Sequence, residues 1–100
     1  MSGISIDISV VIVNYNVKEL ADNCIASVYT ANNNEFNLEI FFVDNNSIDG
    51  SPDHIEKKYP EVKVISNSRN IGFSKANNIA LRQCSGKYIL ILNPDTLLEE

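Results

Sequence analysis

Four short apolar runs punctuate the chain: Ile8-Ser9-Val10-Val11-Ile12-Val13, Leu38-Glu39-Ile40-Phe41-Phe42-Val43, Val62-Lys63-Val64-Ile65 and Tyr88-Ile89-Leu90-Ile91-Leu92. Most of their positions are β-branched or aromatic, and the apolar residues are nearly continuous instead of alternating. That pattern predicts strands covered on both faces, as in a parallel sheet. The third run is shorter and more mixed, which predicts an edge strand. Between the first two runs, Val17, Leu20, Ala21, Cys24, Ile25, Val28 and Tyr29 recur at i, i+3, i+4 spacing and predict a helix over 17–31. Ser51-Pro52 reads as an N-cap followed by proline at the first helical position, opening a helix that runs to about Tyr59 and stops at Pro60. Phe73, Ala76, Ala80 and Cys84 form a third, weaker stripe that ends near Gly86.

The order is β-α-β-α-β-α-β. With right-handed crossovers it predicts an α/β fold, an open parallel sheet of about four strands with helices on both faces. A Rossmann-like mononucleotide-binding half of this kind has strand order 3-2-1-4. Thr96 to Glu100 resembles the first turn of a further helix, so the chain is expected to be an incomplete domain. Its 100 residues suit one domain and a modest core. The formal charge of −5 gives no basic excess for a polynucleotide backbone, so nucleic acid is not an expected partner. The longest uninterrupted apolar run, Tyr88 to Leu92, is far short of the ~20 residues of a membrane span, so neither a membrane span nor a signal peptide is expected. Cys24 and Cys84 lack metal-type spacing and read as reduced cytosolic thiols, one in the core and one packing at a helix end. His54, the only histidine, reads as a surface or capping residue.

In such a sheet, ligands bind outside the carboxyl ends of the strands. Polar residues gather there in four loops: Asn14-Tyr15-Asn16, Asp44 to Ser51, Asn67 to Phe73, and Asn93-Pro94-Asp95. Asp44 can accept a hydrogen bond from a ligand N–H, such as the imide of a uracil or thymine ring, or it can close the loop on its own backbone. In Asp49-Gly50-Ser51, Gly50 permits a turn and Ser51 caps the next helix. Asp95 can hold a divalent cation on a diphosphate, which needs hard oxygen ligands, or cap the turn that follows. Gly72 allows positive φ or close backbone approach, and Arg69 is either a phosphate contact or a solvated cation. Asn77-Asn78 sit inside the third helix, where asparagine is a mediocre helix former; such local inconsistency is expected near function, or the pair is simply exposed. No G-x-G-x-x-G follows the first strand and no P-loop is present.

These residues resemble the family 2 glycosyltransferases of the GT-A fold. The likeness lies in Ile8 to Asn16, Phe42 to Ser51, Asn70-Ile71-Gly72-Phe73 with Ala76-Asn77-Asn78, and Leu92 to Asp95. It spans 7–98, and the Asn-Pro-Asp form resembles the rhamnosyltransferase-like branch. The resemblance makes residues 1–100 the nucleotide-sugar-binding N-terminal part of a glycosyltransferase domain. It implies a UDP- or dTDP-linked sugar donor, with Asn14, Tyr15 and Asn16 lining base and ribose and Asp44 on the base. Asn70 and Gly72 lie near the donor, Asn93 replaces the first acidic position of a D-x-D-like motif, and Asp95 holds Mg²⁺ or Mn²⁺. Ala80 stands where many relatives have glycine.

The implied reaction is metal-assisted inverting transfer of a sugar, rhamnose being one candidate, to a glycan or lipid-linked acceptor in cell-surface polysaccharide synthesis. The place of action is cytoplasmic or peripheral at the inner membrane face. The general base is expected beyond residue 100, so these residues alone are not expected to turn over. Apolar surface left by a missing half makes self-association another expectation. Two other classes stay open. A nucleotidyltransferase would show a glycine- and basic-rich first loop, where this chain has Asn-Tyr-Asn. A non-catalytic nucleotide-binding or interaction module would bind no donor in a metal-dependent way.

Overall fold

The computed structural model describes residues 5–94; Asp95 and the turn expected over 96–100 lie outside the described residues. Seven elements alternate: β1 (Ile8–Asn14), α1 (Lys18–Asn32), β2 (Leu38–Asp44), α2 (Ser51–Lys58), β3 (Lys63–Ser66), α3 (Phe73–Leu81) and β4 (Tyr88–Leu92). All strands pair in parallel, in the order β3-β2-β1-β4. The expected α/β class, strand order and two-sided helical cover are all present.

Side chains alternate across a strand, and here the alternation sorts the whole molecule. Val10, Ile12, Ile40 and Phe42 face α1 and α2, packing on Cys24, Ile25 and Ile55. Val11, Val13, Phe41 and Val43 face α3, packing on Ala76 and Ala80. The two central strands are therefore buried on both sides, which is why their sequences hardly alternate. β3 is a half-exposed edge, as expected.

β4 departs from the expectation of two-sided cover. Tyr88 is 74% exposed and Ile89, Leu90 and Ile91 are exposed too; only Leu92 is buried. The reason is topological: among the described residues β4 pairs with β1 alone, and α3 packs chiefly across β1 and β2.

Two helix ends also differ from expectation. Ser51 does not cap α2; it is the first helical residue, behind Gly50 in the left-handed region at φ 79°. The Asp49 carboxylate accepts both the backbone N–H and the hydroxyl of Ser51, and its other oxygen accepts Lys18 N–H at 3.0 Å, so one aspartate caps two helices. Burial alone would raise its pKa, but these bonds lower it below the usual carboxylate range. α3 stops at Leu81, well before Gly86, and the N–H groups of Gln83 and Cys84 turn back to the Ala80 and Leu81 carbonyls. Cys84 still packs on the α3-side core, and Cys24 is buried. The asparagines at 32–34 are turn chemistry. Asn33 and Asn34 take positive φ, and the Asn32 carboxamide exchanges two hydrogen bonds with the backbone of Phe36.

Two carboxylates with several donors each, half-buried Asp22 and buried Glu39, lie away from the carboxyl ends. Asp22 on α1 accepts His54 Nε2 at 2.6 Å, Tyr59 Oη at 2.6 Å and Lys58 Nζ at 2.9 Å, joining α1 to α2. His54 is thus an inter-helix partner, not a cap. Burial would raise the Asp22 pKa, and the three donors outweigh it and hold it at about 2. Glu39 on β2 accepts Ser9 Oγ and Ser85 N–H, each at 2.6 Å, and Lys63 Nζ at 3.1 Å. Burial again opposes ionisation, and the donors again win, at about 2.

Candidate functional site

The loops after β1 and β2 are knitted into one unit. Asn14 Nδ2 donates to Asp44 Oδ1 at 2.9 Å and to Ser47 Oγ at 3.2 Å. Ser47 donates its N–H and hydroxyl to Asp44 at 2.8 and 2.6 Å. Asn16, at φ 55°, donates its N–H to Ser47 Oγ and accepts Ile48 N–H at 2.7 Å. Asp44 is 1% exposed and Asn14 fully buried. Both continue the face of Ile12 and Phe42, which looks toward α1 and α2.

On the other face lies a cleft of about 340 Å³ lined by Val13, Tyr15, Val17, Asn45, Asn70, Gly72, Phe73, Asn93 and Pro94. It collects the ends of β1, β2 and β4 and the N-terminus of α3. Tyr15 is half exposed. Asn45 donates Nδ2 to the Gly72 carbonyl at 3.3 Å and accepts Asn67 Nδ2 at 2.9 Å. Asn70 Oδ1 accepts Gly72 N–H at 2.9 Å. Gly72 itself sits at φ 87°, ψ 166°, a region open essentially only to glycine. The first N–H groups of α3 have no intrahelical partner, and no acidic side chain occupies its first turn.

Of the residues expected at a ligand, Tyr15, Asn70, Gly72 and Asn93 therefore share one cleft. Asn14 and Asp44 do not line it; they lie beneath the rim as its fastening, and Asn16 lies beside it. Asp44 makes the hydrogen bonds of the loop-closing alternative, accepting Ser47 N–H and Oγ. The cleft residue that was missed is Asn45, whose signal was the strand period: 41, 43 and 45 share the α3 face, as do 11, 13 and 15. Arg69 and Asn78 are exposed.

The cleft's described polar lining is carboxamide, backbone N–H and a phenol. Such a set binds nucleosides and phosphates but fits a hard divalent cation poorly. Among the described residues no group of three or more His, Cys, Asp or Glu side chains can hold a metal. The carboxylates of Asp44 and Asp49 are committed to loop closure. The expected metal ligand, Asp95, is not among the described residues.

The Glycosyl transferase family 2 model matches residues 9–100. The chain belongs to that family. An uncharacterized glycosyltransferase of Haemophilus influenzae is 34% identical over 93 residues, covering 90% of this chain and 28% of its own length. A poly(ribitol-phosphate) beta-glucosyltransferase of Bacillus spizizenii is 36% identical over 92 residues, covering 88% of this chain and 14% of its own length. This family 2 chain therefore spans under a third of the relatives it matches. Among solved structures, mannosyltransferase PcManGT from Pyrobaculum calidifontis, in complex with GDP-Man and Mn²⁺, superposes with a TM-score of 0.80 at 23% identity, over 97% of this chain and 30% of its own; this likeness speaks to fold alone. TarS 1-349 of S. aureus in complex with UDP superposes with a TM-score of 0.75 at 25% identity, over 89% of this chain and 27% of its own. Among the described residues of the family 2 chain, no helix is long and apolar enough to cross a membrane.

Proposed function

We propose that these residues form the donor-binding part of an inverting family 2 glycosyltransferase, and that the cleft between Tyr15, Asn45, Gly72 and Asn93 takes the nucleoside diphosphate of a nucleotide-sugar. The observation that carries this reading is the convergence of three strand ends and a helix N-terminus on one neutral, hydrogen-bonding cleft. Each part has a matching chemistry. The Tyr15 ring offers a face to a base, the carboxamides of Asn45 and Asn70 offer paired donor and acceptor atoms to base or ribose edges, and the α3 N–H groups offer an anion site to phosphate. Asn14 and Asp44 act indirectly, by fixing the loop that carries Tyr15 and Asn45.

The donor is proposed as UDP- or dTDP-linked. The UDP complex of TarS supports the first. A hexosyl group fits the glucosyltransferase relative, and the Asn93-Pro94-Asp95 form keeps rhamnose as a candidate. Relatives of the teichoic acid kind, including the minor teichoic acid biosynthesis protein GgaB of Bacillus subtilis, support a teichoic-acid-like polymer as acceptor; a lipid-linked form of it and a place of action at the cytoplasmic face are part of the same proposal. A divalent cation would rest on Asp95 and the diphosphate, where it would offset charge on the leaving group. No described residue is placed as the base that deprotonates the acceptor.

Titration of the chain with UDP, dTDP and GDP, with and without Mn²⁺, tests the reading by NMR. Binding on the order of 1 mM or tighter is expected for UDP or dTDP, with shifts at Tyr15, Asn45 and Gly72. The metal-dependent part is expected to vanish in Asp95→Ala. No shift with any nucleotide, with or without metal, favours the interaction-module alternative.

Self-association is proposed at β4, with a second copy as the partner. Among the described residues the strand's outer edge is unpaired, and Tyr88 to Leu92 carry no charge or proline, the features that ordinarily blunt an edge. Sedimentation is expected to show mass rising with concentration, and Ile91→Lys is expected to return the chain to a monomer.

A further inference from the structure

Asn77 lies in the middle of α3 and is 5% exposed, and its Oδ1 has no hydrogen-bond partner among the described residues. Two costs meet at this position. Asparagine is a poor helix former, and a buried acceptor without a donor forfeits its hydration. Buried polar groups are nearly always paired, so each exception asks for a reason. The neighbouring Asn78 is exposed and needs none.

The direction of the side chain supplies one. Helical side chains lean toward the helix N-terminus and cover the turn before their own Cα. The turn before Asn77 is that of Gly72 and Phe73, which wall the cleft. Phe73, four residues earlier on the same helical face, is half exposed and lines the cleft. Neither Asn45 Nδ2, which donates to the Gly72 carbonyl, nor Asn67 Nδ2, which donates to Asn45 Oδ1, supplies the Asn77 oxygen with a hydrogen bond. It is an acceptor, so a phosphate oxygen does not satisfy it, whereas a hydroxyl does.

We infer that Asn77 is a specificity-determining residue of the cleft, its carboxamide accepting a hydroxyl of the bound nucleotide-sugar. This deepens the donor-binding reading and rests on it. Two sources carry that hydroxyl, the ribose and the sugar to be transferred.

The test compares wild type, Asn77→Leu and Asn77→Ala with UDP and with UDP-glucose as probes, alongside thermal melts. Asn77→Leu is expected to melt at or above the wild-type temperature, because it removes a buried unpaired atom at similar volume. Affinity is expected to fall about fivefold to tenfold, as for one lost hydrogen bond in a closed site. A fall already seen with UDP assigns the ribose hydroxyl; a fall seen only with UDP-glucose assigns the transferred sugar. The side-chain amide signals of Asn77 in the wild-type chain give a readout that does not depend on any variant folding, and they are expected to shift on addition of the same ligand. If the wild type binds both probes while those signals stay still and the variants bind equally well, the inference fails and the donor site stands. If the wild type binds neither probe, both fail together.

Discussion

Glu39→Ala is expected to lower the stability of the chain by about 3–5 kcal/mol, a large share of the about 5–15 kcal/mol that holds a typical domain. Glu39 is 7% exposed and its carboxylate serves four donor atoms at once, Ser9 Oγ, Ser85 N–H, Ser85 Oγ and Lys63 Nζ. Truncation leaves Ser85 N–H and Ser9 Oγ short of an acceptor inside the fold, while Lys63, itself largely exposed, returns to water. Ser9 also accepts Gly86 N–H at 2.8 Å, and the approach is so close that a Cβ on Gly86 would stand 2.6 Å from Ser9 N. The carboxylate therefore fixes the whole α3–β4 connection against the starts of β1 and β2. Urea melts read the loss as a lower midpoint at unchanged slope. The same group sets an acid limit. Its folded pKa of about 2 lies below the ordinary 4.5, so the unfolded chain takes up the proton first as pH falls. Its contribution is complete above about pH 5 and is lost between there and pH 2. Asp22, lowered from 3.8 to about 2, adds in the same direction. Glu39→Gln is expected to be less damaging at neutral pH than alanine and to flatten this acid dependence.

Ser9 and Glu39 illustrate what was legible and what was not. In the sequence they look like single polar blemishes in two apolar runs. They are in fact opposite one another in the β1–β2 register, each the second residue of its strand. Their third partner, Ser85, comes from a loop 46 residues away, and no local pattern announces it. Strand identity, order and helix placement were legible because continuous apolar runs and a 3.6-residue period are local properties. The exposure of β4 was not, since an apolar run reads alike at the centre and at the edge of a sheet. Within the site, the loops were legible, while which side chains of each loop line the cleft was not. Asp44 drew attention by its charge, but the alternation that buries Phe42 toward α1 also turns Asp44 inward and leaves Asn45 to face the cleft. Counting parity from Phe42 separates cleft-facing Tyr15 and Asn45 from inward-facing Asn14 and Asp44.

Gly72→Ala is expected to weaken UDP binding more than tenfold, and the reason is backbone geometry, not crowding. Nothing lies within 4 Å of a Cβ built there, so the pocket has room for the methyl group. The obstacle is φ 87°, ψ 166°, which costs any other residue about 1–3 kcal/mol. The loop can hold that conformation at a cost or relax out of it. Relaxation pulls the Gly72 carbonyl from Asn45 Nδ2 and its N–H from Asn70 Oδ1, and it re-aims the first turn of α3. Of these, the Asn45 and Asn70 carboxamides and the α3 N–H groups are proposed to touch the nucleotide. Gly50→Ala is the matched control. Gly50 also has positive φ, at 79°, and also has open space around it, but it caps α2 on the other side of the rim. It is expected to lose about 1 kcal/mol of stability and about 4–8 °C of melting temperature while UDP binding stays within twofold. If both alanines weaken UDP equally, general destabilisation explains the loss and Gly72 has no special place at the cleft. If only Gly72→Ala does so, the left-handed turn before α3 is what shapes the nucleotide site.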